Sequence, residues 1–137
     1  MQSSEQAVIG LDTNVLVRFI VQDDPVQSSA ATSLMETSCS PDEPGYISLI
    51  VLVELAWVLG GAYKYDRSVV ASVIRQLLQT DSLVMENARI AWSALRSFEE
   101  DGADFVIGQG NADAGCTRTY TFDAKAARHK NFEAVPR

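Results

Sequence analysis

Four acidic residues lie far apart in the chain, each at the edge of an apolar segment: Asp12, Glu54, Asp104 and Asp123. Asp12 ends the run Val8-Ile9-Gly10-Leu11, and Asp123 closes Thr119-Tyr120-Thr121-Phe122. Glu54 is the only charged residue between Ile47 and Leu59, and Asp104 opens a segment after the acidic stretch Glu99-Glu100-Asp101-Gly102-Ala103. Carboxylates that converge cannot all ionise at neutral pH without a counter-charge. The simplest counter-charge is a divalent cation held by oxygen ligands. The leading chemistry is therefore metal-assisted phosphodiester hydrolysis.

Each acid also has a plainer reading. Asp12, Asp104 and Asp123 can serve as helix caps, and Glu54 can occupy the wet edge of an apolar helix. Capping alone explains the set poorly, because a Glu amid Ile50, Val51, Val53, Leu55 and Val58 needs a partner if it is buried. Asp101 and Asp113 are rivals to Asp104. Thr13 and Asn14 suit a strand-to-helix turn, or they orient Asp12 or a bound water. Ser48 reads as a helix cap that can also reach the pocket rim. Asn111 follows Asp104 by seven residues, which places both on one helix face. His129, the only histidine, has no partner motif around it to make it a base. Trp57 and Trp92 read as core or interface residues.

The elements that must position these residues alternate between strands and helices. Val8–Leu11 is a short apolar run suited to a strand buried on both faces. A helix over Val15–Val21 follows, and Asp24-Pro25 starts another that runs to about Cys39, with apolar or small residues at Val26, Ala30, Leu34 and Met35. Ser40–Gly45 is a loop, Tyr46-Ile47 a strand, and Leu49–Leu59 a helix that Gly60-Gly61 ends. This helix is apolar almost all round, so it is buried on more than one side or lies in a subunit interface. Asp66 or Ser68 caps a helix through about Leu78, with Val69, Val73, Ile74 and Leu77 on one face. Leu83–Met85 is a strand, and Asn87–Phe98 is an amphipathic helix with Ile90, Ala94, Leu95 and Phe98 inward. Asp104–Ala114 is a further helix, although Gly108 and Gly110 each cost it roughly 1 kcal/mol. Arg118–Phe122 is a strand, Ala124–Ala127 a helical turn and Phe132–Val135 a last strand. The pattern predicts one domain over residues 1–137, with helices on both faces of a mostly parallel sheet. Ligands of such sheets bind at the carboxyl ends of strands, where Asp12 and Asp123 sit.

Composition narrows the class. Apolar residues make up 47% of the 137, as in a globular protein with a real core. No apolar run approaches the roughly 20 residues that span a bilayer, and Met1–Gln6 is polar, so a cytoplasmic protein with no membrane association is expected. Cys39 and Cys116 are too few for a disulfide framework and read as small buried hydrophobes. A net charge of −7 argues against a broadly basic nucleic-acid surface. Basic residues do gather at the end of the chain, at Arg118, Lys125, Arg128, Lys130 and Arg137. An acidic enzyme can also rely on a basic partner protein.

Taken together, the chain resembles the PIN-domain family, and within it the VapC-like toxins of toxin–antitoxin pairs. The matching pieces are Leu11-Asp12-Thr13-Asn14-Val15-Leu16-Val17-Arg18, Ser48 with Val53-Glu54-Leu55-Ala56-Trp57-Val58-Leu59, Ala103-Asp104-Phe105, Asn111, Ala114-Gly115-Cys116 and Thr121-Phe122-Asp123. The resemblance implies a three-layer α-β-α sandwich with a mostly parallel central sheet, and an endoribonuclease dependent on Mg²⁺ or Mn²⁺. It makes Asp12 and Asp104 metal ligands, with Glu54 and Asp123 completing the acidic site directly or through water. Thr13, Asn14, Ser48, Asn111 and Thr121 are supporting residues. An acidic pocket repels RNA until it holds metal, so Arg18, Lys125, Arg128 and Lys130 are the candidate substrate contacts. The resemblance also implies a homodimer and a cognate antitoxin with a tail near the site. Two alternatives compete. One is a non-catalytic interaction module on the same fold. The other is a haloacid-dehalogenase-like phosphatase, whose chemistry wants an acid where Asn14 stands.

Overall fold

The computed structural model describes residues 9–101, 111–112, 114–122, 124, 126–128 and 132–136. Strand β1 (Ile9–Gly10) leads into α1 (Thr13–Val21) and α2 (Pro25–Thr37). Strand β2 (Gly45–Ile47) leads into α3 (Leu49–Trp57), a π-helical turn (Val58–Ala62) and α4 (Arg67–Leu78). Then come β3 (Leu83–Met85), α5 (Ala88–Asp101), β4 (Thr119–Thr121), a 3₁₀ turn (Ala126–Arg128) and β5 (Phe132–Ala134). Strands β1, β2 and β3 form one parallel set in that spatial order, and β4 pairs with β5 in a second parallel set. The fold is an α/β sandwich, and every described strand pair is parallel.

Local chemistry explains most boundaries. The Asp24 carboxylate accepts from the backbone N–H groups of Val26 and Gln27 at 3.1 and 2.9 Å, and Pro25 fills the first helical position. Ser48 Oγ accepts from Val51 N at 3.3 Å and starts α3. Gln22 ends α1 in the left-handed region (φ 60°), where its side-chain amide donates to the Phe19 carbonyl at 2.7 Å. The glycine pair does not end α3 as expected. Gly60 and Gly61 lie inside the π turn, and the chain breaks out at Lys64 with φ 61°.

The core gathers Leu11, Leu16 and Val17 with Ile47, Leu52, Leu55 and Leu59, and continues through Val70, Ala71, Ile74, Leu77, Leu83, Ala91 and Leu95. Gly45, in the middle strand, is tightly enclosed. A Cβ there would lie 2.7 Å from Leu11 Cδ1 and 3.0 Å from Leu83 Cδ2. The inward residues of α5 agree with the periodicity, since Ile90, Ala94 and Leu95 are buried. Two helices turn part of their apolar content outward. On α2 the buried residues are Ser28, Ala31 and Met35, while Val26 is 79% exposed. The helix has few large apolar residues, so packing against α1 chooses its face rather than hydrophobic content. On α4 the inward set is Val70, Ala71, Ile74 and Leu77, and Val69 is exposed. Cys39 is buried, but Cys116 is exposed in a turn, contrary to its reading as a buried hydrophobe.

Candidate active site

Register places three polar residues on the carboxyl edge of the β1–β2–β3 set. Gly10 pairs with Tyr46, and Ile47 pairs with Met85. The first polar residues beyond the last paired positions are therefore Asp12, after Leu11, and Ser48 and Glu86 directly. Backbone bonds carry the pairing to this edge, from Leu11 N to the Tyr46 carbonyl at 3.0 Å and from Glu86 N to the Ile47 carbonyl at 2.9 Å.

Asp12 occupies the N-cap of α1, with extended backbone (φ −84°, ψ 158°) and its carbonyl accepting from Val15 N at 3.1 Å. Its carboxylate makes no capping bond, whereas that of Asp24 makes two. Asp66 also leaves its N-cap unbonded, so this alone does not mark a site. The neighbouring residue supplies the distinction. Thr13 is buried, and its hydroxyl donates to Glu54 Oε1 at 2.6 Å. That bond ties the start of α1 to the second turn of α3 and brings Asp12 and Glu54 to one neighbourhood. Asn14, exposed, follows on the same first turn.

Glu54 itself departs from expectation. It is exposed, so the desolvation cost argued from its apolar neighbours does not arise. α3 is amphipathic in space despite its composition. Val51, Leu52, Leu55 and Ala56 face the core, whereas Ile50 and Trp57 are 70% and 58% exposed beside Glu54.

The other expected residues divide into placed and undescribed. Ser48 caps α3 and is half-buried. Asn111 Nδ2 donates to Thr119 Oγ1 at 3.1 Å, which anchors the start of β4. Thr121 shares a strand face with Thr119, by the two-residue period. Arg128 is exposed at the end of the 3₁₀ turn. Arg18 is engaged within the protein. Its Nε donates to Gln27 at 2.8 Å, and its Nη1 donates to Asp23 at 2.9 Å and to Tyr63 Oη at 3.1 Å. Asp104 and Asp123 lie outside the described residues, as do Asp113, Lys125, His129 and Lys130. Among the described residues no three acidic, His or Cys side chains gather into a metal-binding group.

Sequence reasoning missed Glu86. Its Oε1 accepts from Leu49 N at 3.0 Å, so two residues cap α3, one from each neighbouring strand end. The signal was present, because Glu86 follows the apolar strand Leu83–Met85 as Asp12 follows its own strand. Tyr63 and Asp23 were missed as well, and nothing local to either residue pointed to them.

The donor set suits a hard divalent cation. The groups that meet at this edge offer carboxylate and hydroxyl oxygens, and no imidazole or thiolate accompanies them among the described residues. A PIN-domain family model matches residues 9–131, a span that includes all four acids. Neither the curated proteins nor the solved structures contain a match. Proteins with this domain are generally nucleases and typically bind divalent metals. No helix of the described residues is long and apolar enough to cross a membrane.

Proposed function

This chain belongs to the PIN-domain family, and from that premise we propose that it is a metal-dependent endoribonuclease, the toxin of a toxin–antitoxin pair. The observation that carries this reading is the Thr13–Glu54 hydrogen bond, which draws the Glu54 carboxylate to the residue that follows Asp12. Asp12 and Asp104 would hold Mg²⁺ or Mn²⁺, with Glu54 and Asp123 completing the acidic set. A cation held there would offset charge on the phosphodiester and lower the pKa of a water. Thr13 keeps Glu54 turned toward the site, and α1 presents Asp12 from a rigid helix start.

RNA would approach through cations at the rim, with Lys125, Arg128 and Lys130 contacting phosphates from the C-terminal segment. Arg18 would meet a phosphate through Nη2, which has no partner among the described residues. A groove of about 270 Å³ lies between α1 and α2, lined by Val15, Ala30 and Leu34 and running from Asn14 to Gln27. It suits an apolar segment of the cognate antitoxin, and the net charge of −7 favours a basic partner. A homodimer would form on the exposed α3 face at Ile50 and Trp57, and the protein would work in the cytoplasm.

Cleavage of structured RNA by pure protein, assayed with and without Mg²⁺ or Mn²⁺, tests the reading. Wild type should cut only with metal, and Asp12→Asn should reduce cutting at least a hundredfold. A wild-type protein that binds neither metal nor RNA would leave only the interaction-module alternative.

A further inference from the structure

We propose that Tyr63 is a positioning residue for the acidic site, acting with Asp23 and Arg18 as a clamp that sets the separation of Asp12 and Glu54. The proposal rests on the reading of those two acids as members of the metal-binding acidic set. Helix α1 meets α3 and the residue that follows its π turn at two polar points. Near the sheet edge, Thr13 donates to Glu54. Farther along, Arg18 Nη1 donates to Tyr63 Oη at 3.1 Å, and Tyr63 Oη donates to Asp23 Oδ2 at 2.6 Å. Arg18 closes the loop on Asp23 at 2.9 Å and reaches α2 through Gln27.

Leu16 and Val17 share one apolar core with Leu52, Leu55 and Leu59, which holds the segments together without directional bonds. Polar contacts at two heights add the direction that sets register. On α1 the two points are five residues apart, about 7.5 Å along the axis. On the other chain segment the π turn lies between them. Closing it with the bond from Tyr63 N to the Val58 carbonyl inserts one residue, which displaces Tyr63 by about 100° from an α-helical continuation. The turn thus delivers a hydroxyl to α1 that an unbroken helix would send elsewhere.

The clamp does little for stability. The Arg18 and Asp23 side chains are 29% and 36% exposed, and exposed ion pairs contribute little. What it offers is geometry: five hydrogen bonds among four side chains fix the far end of α1 while Thr13 fixes the near end. Groups bonded directly to metal ligands typically change metal affinity by roughly 10- to 100-fold, and the clamp acts farther out, so an effect near the lower end is expected.

The test is Tyr63→Phe, which keeps the ring and removes the hydroxyl, with Asp23→Asn as a second variant. Mn²⁺ binding is measured by calorimetry, the amide shifts of Thr13 and Glu54 by NMR, and cleavage by steady-state kinetics. Both variants should bind Mn²⁺ about tenfold more weakly and shift both amides. They should lose kcat with KM unchanged, while melting within a few degrees of wild type. Wild-type Mn²⁺ affinity and unmoved amides in Tyr63→Phe, with binding lost in Asp12→Asn, would overturn the clamp and leave the site intact. Equal Mn²⁺ binding by wild type and Asp12→Asn would overturn both.

Discussion

Thr13 has one hydroxyl proton, and it goes to Glu54 at 2.6 Å. Replacing it with Val keeps the shape and removes the bond. Glu54 is exposed, so water can take the place of the donor, and the stability loss should be about 1 kcal/mol. The functional loss should be larger, because Glu54 would no longer be held beside Asp12. Thr13→Val is expected to lower metal-dependent cleavage at least tenfold, and Thr13→Ser to restore it. Equal rates for Thr13→Val and wild type would remove Thr13 from the site. Asp23 makes a prediction about pH. The Tyr63 hydroxyl, with the Arg18 charge beside it, holds its carboxyl below the ordinary value of 3.8. The folded pKa is thus lower than the unfolded one. The stability it contributes is present above 3.8 and is lost as pH falls through the folded value. Urea titrations across acid pH should show a shallower acid limb in Tyr63→Phe than in wild type.

At the scale of elements, the site depends on how closely three strands and their helices approach. Gly45 lets the middle strand sit against Leu11, Leu83 and Cys39. An added methyl there meets the side chains of both flanking positions, and overpacking of this kind costs about 1–3 kcal/mol. Gly45→Ala should therefore lower the unfolding free energy by that amount, read as a lower urea midpoint at unchanged slope. An unchanged midpoint would mean that Leu11 and Leu83 repack freely. α3 is the element on which the proposed chemistry turns. Ser48 and Glu86 cap its first turn, Glu54 stands in its second, and the π turn at its end delivers Tyr63. A helix held at both ends presents its carboxylate in one direction.

At the scale of the whole molecule, α3 leaves one face without cover. Ile50 and Trp57 are seven residues apart and share that face with Glu54 between them. Large exposed apolar residues at helical spacing fit a subunit interface, and Trp is a frequent anchor. Sedimentation at micromolar concentration should show a dimer for wild type and a monomer for Trp57→Glu. A wild-type monomer would instead leave this face to a different partner. The acidic site would then border the interface, because Glu54 stands on the same helix face.

The amino-acid sequence by itself determined the elements whose signals are local. Asp24-Pro25 started a helix, Ser48 capped one, and Leu83–Met85 formed a strand with the bounds its composition predicts. Such features depend on a few consecutive residues, so propensity and capping chemistry suffice. The candidate acids were also legible, because charge at the edge of an apolar run is visible in one dimension. Only the tertiary structure decided which groups meet. Thr13 and Glu54 are 41 residues apart, Tyr63 and Asp23 are 40 apart, and Leu49 and Glu86 are 37 apart. Tertiary packing also turned Val26 of α2 and Val69 of α4 outward, and put Glu54 on the exposed side of an apolar helix. Periodicity identifies a helix, but its rotation about its own axis is set by the neighbours it packs against, and those neighbours come from distant parts of the chain.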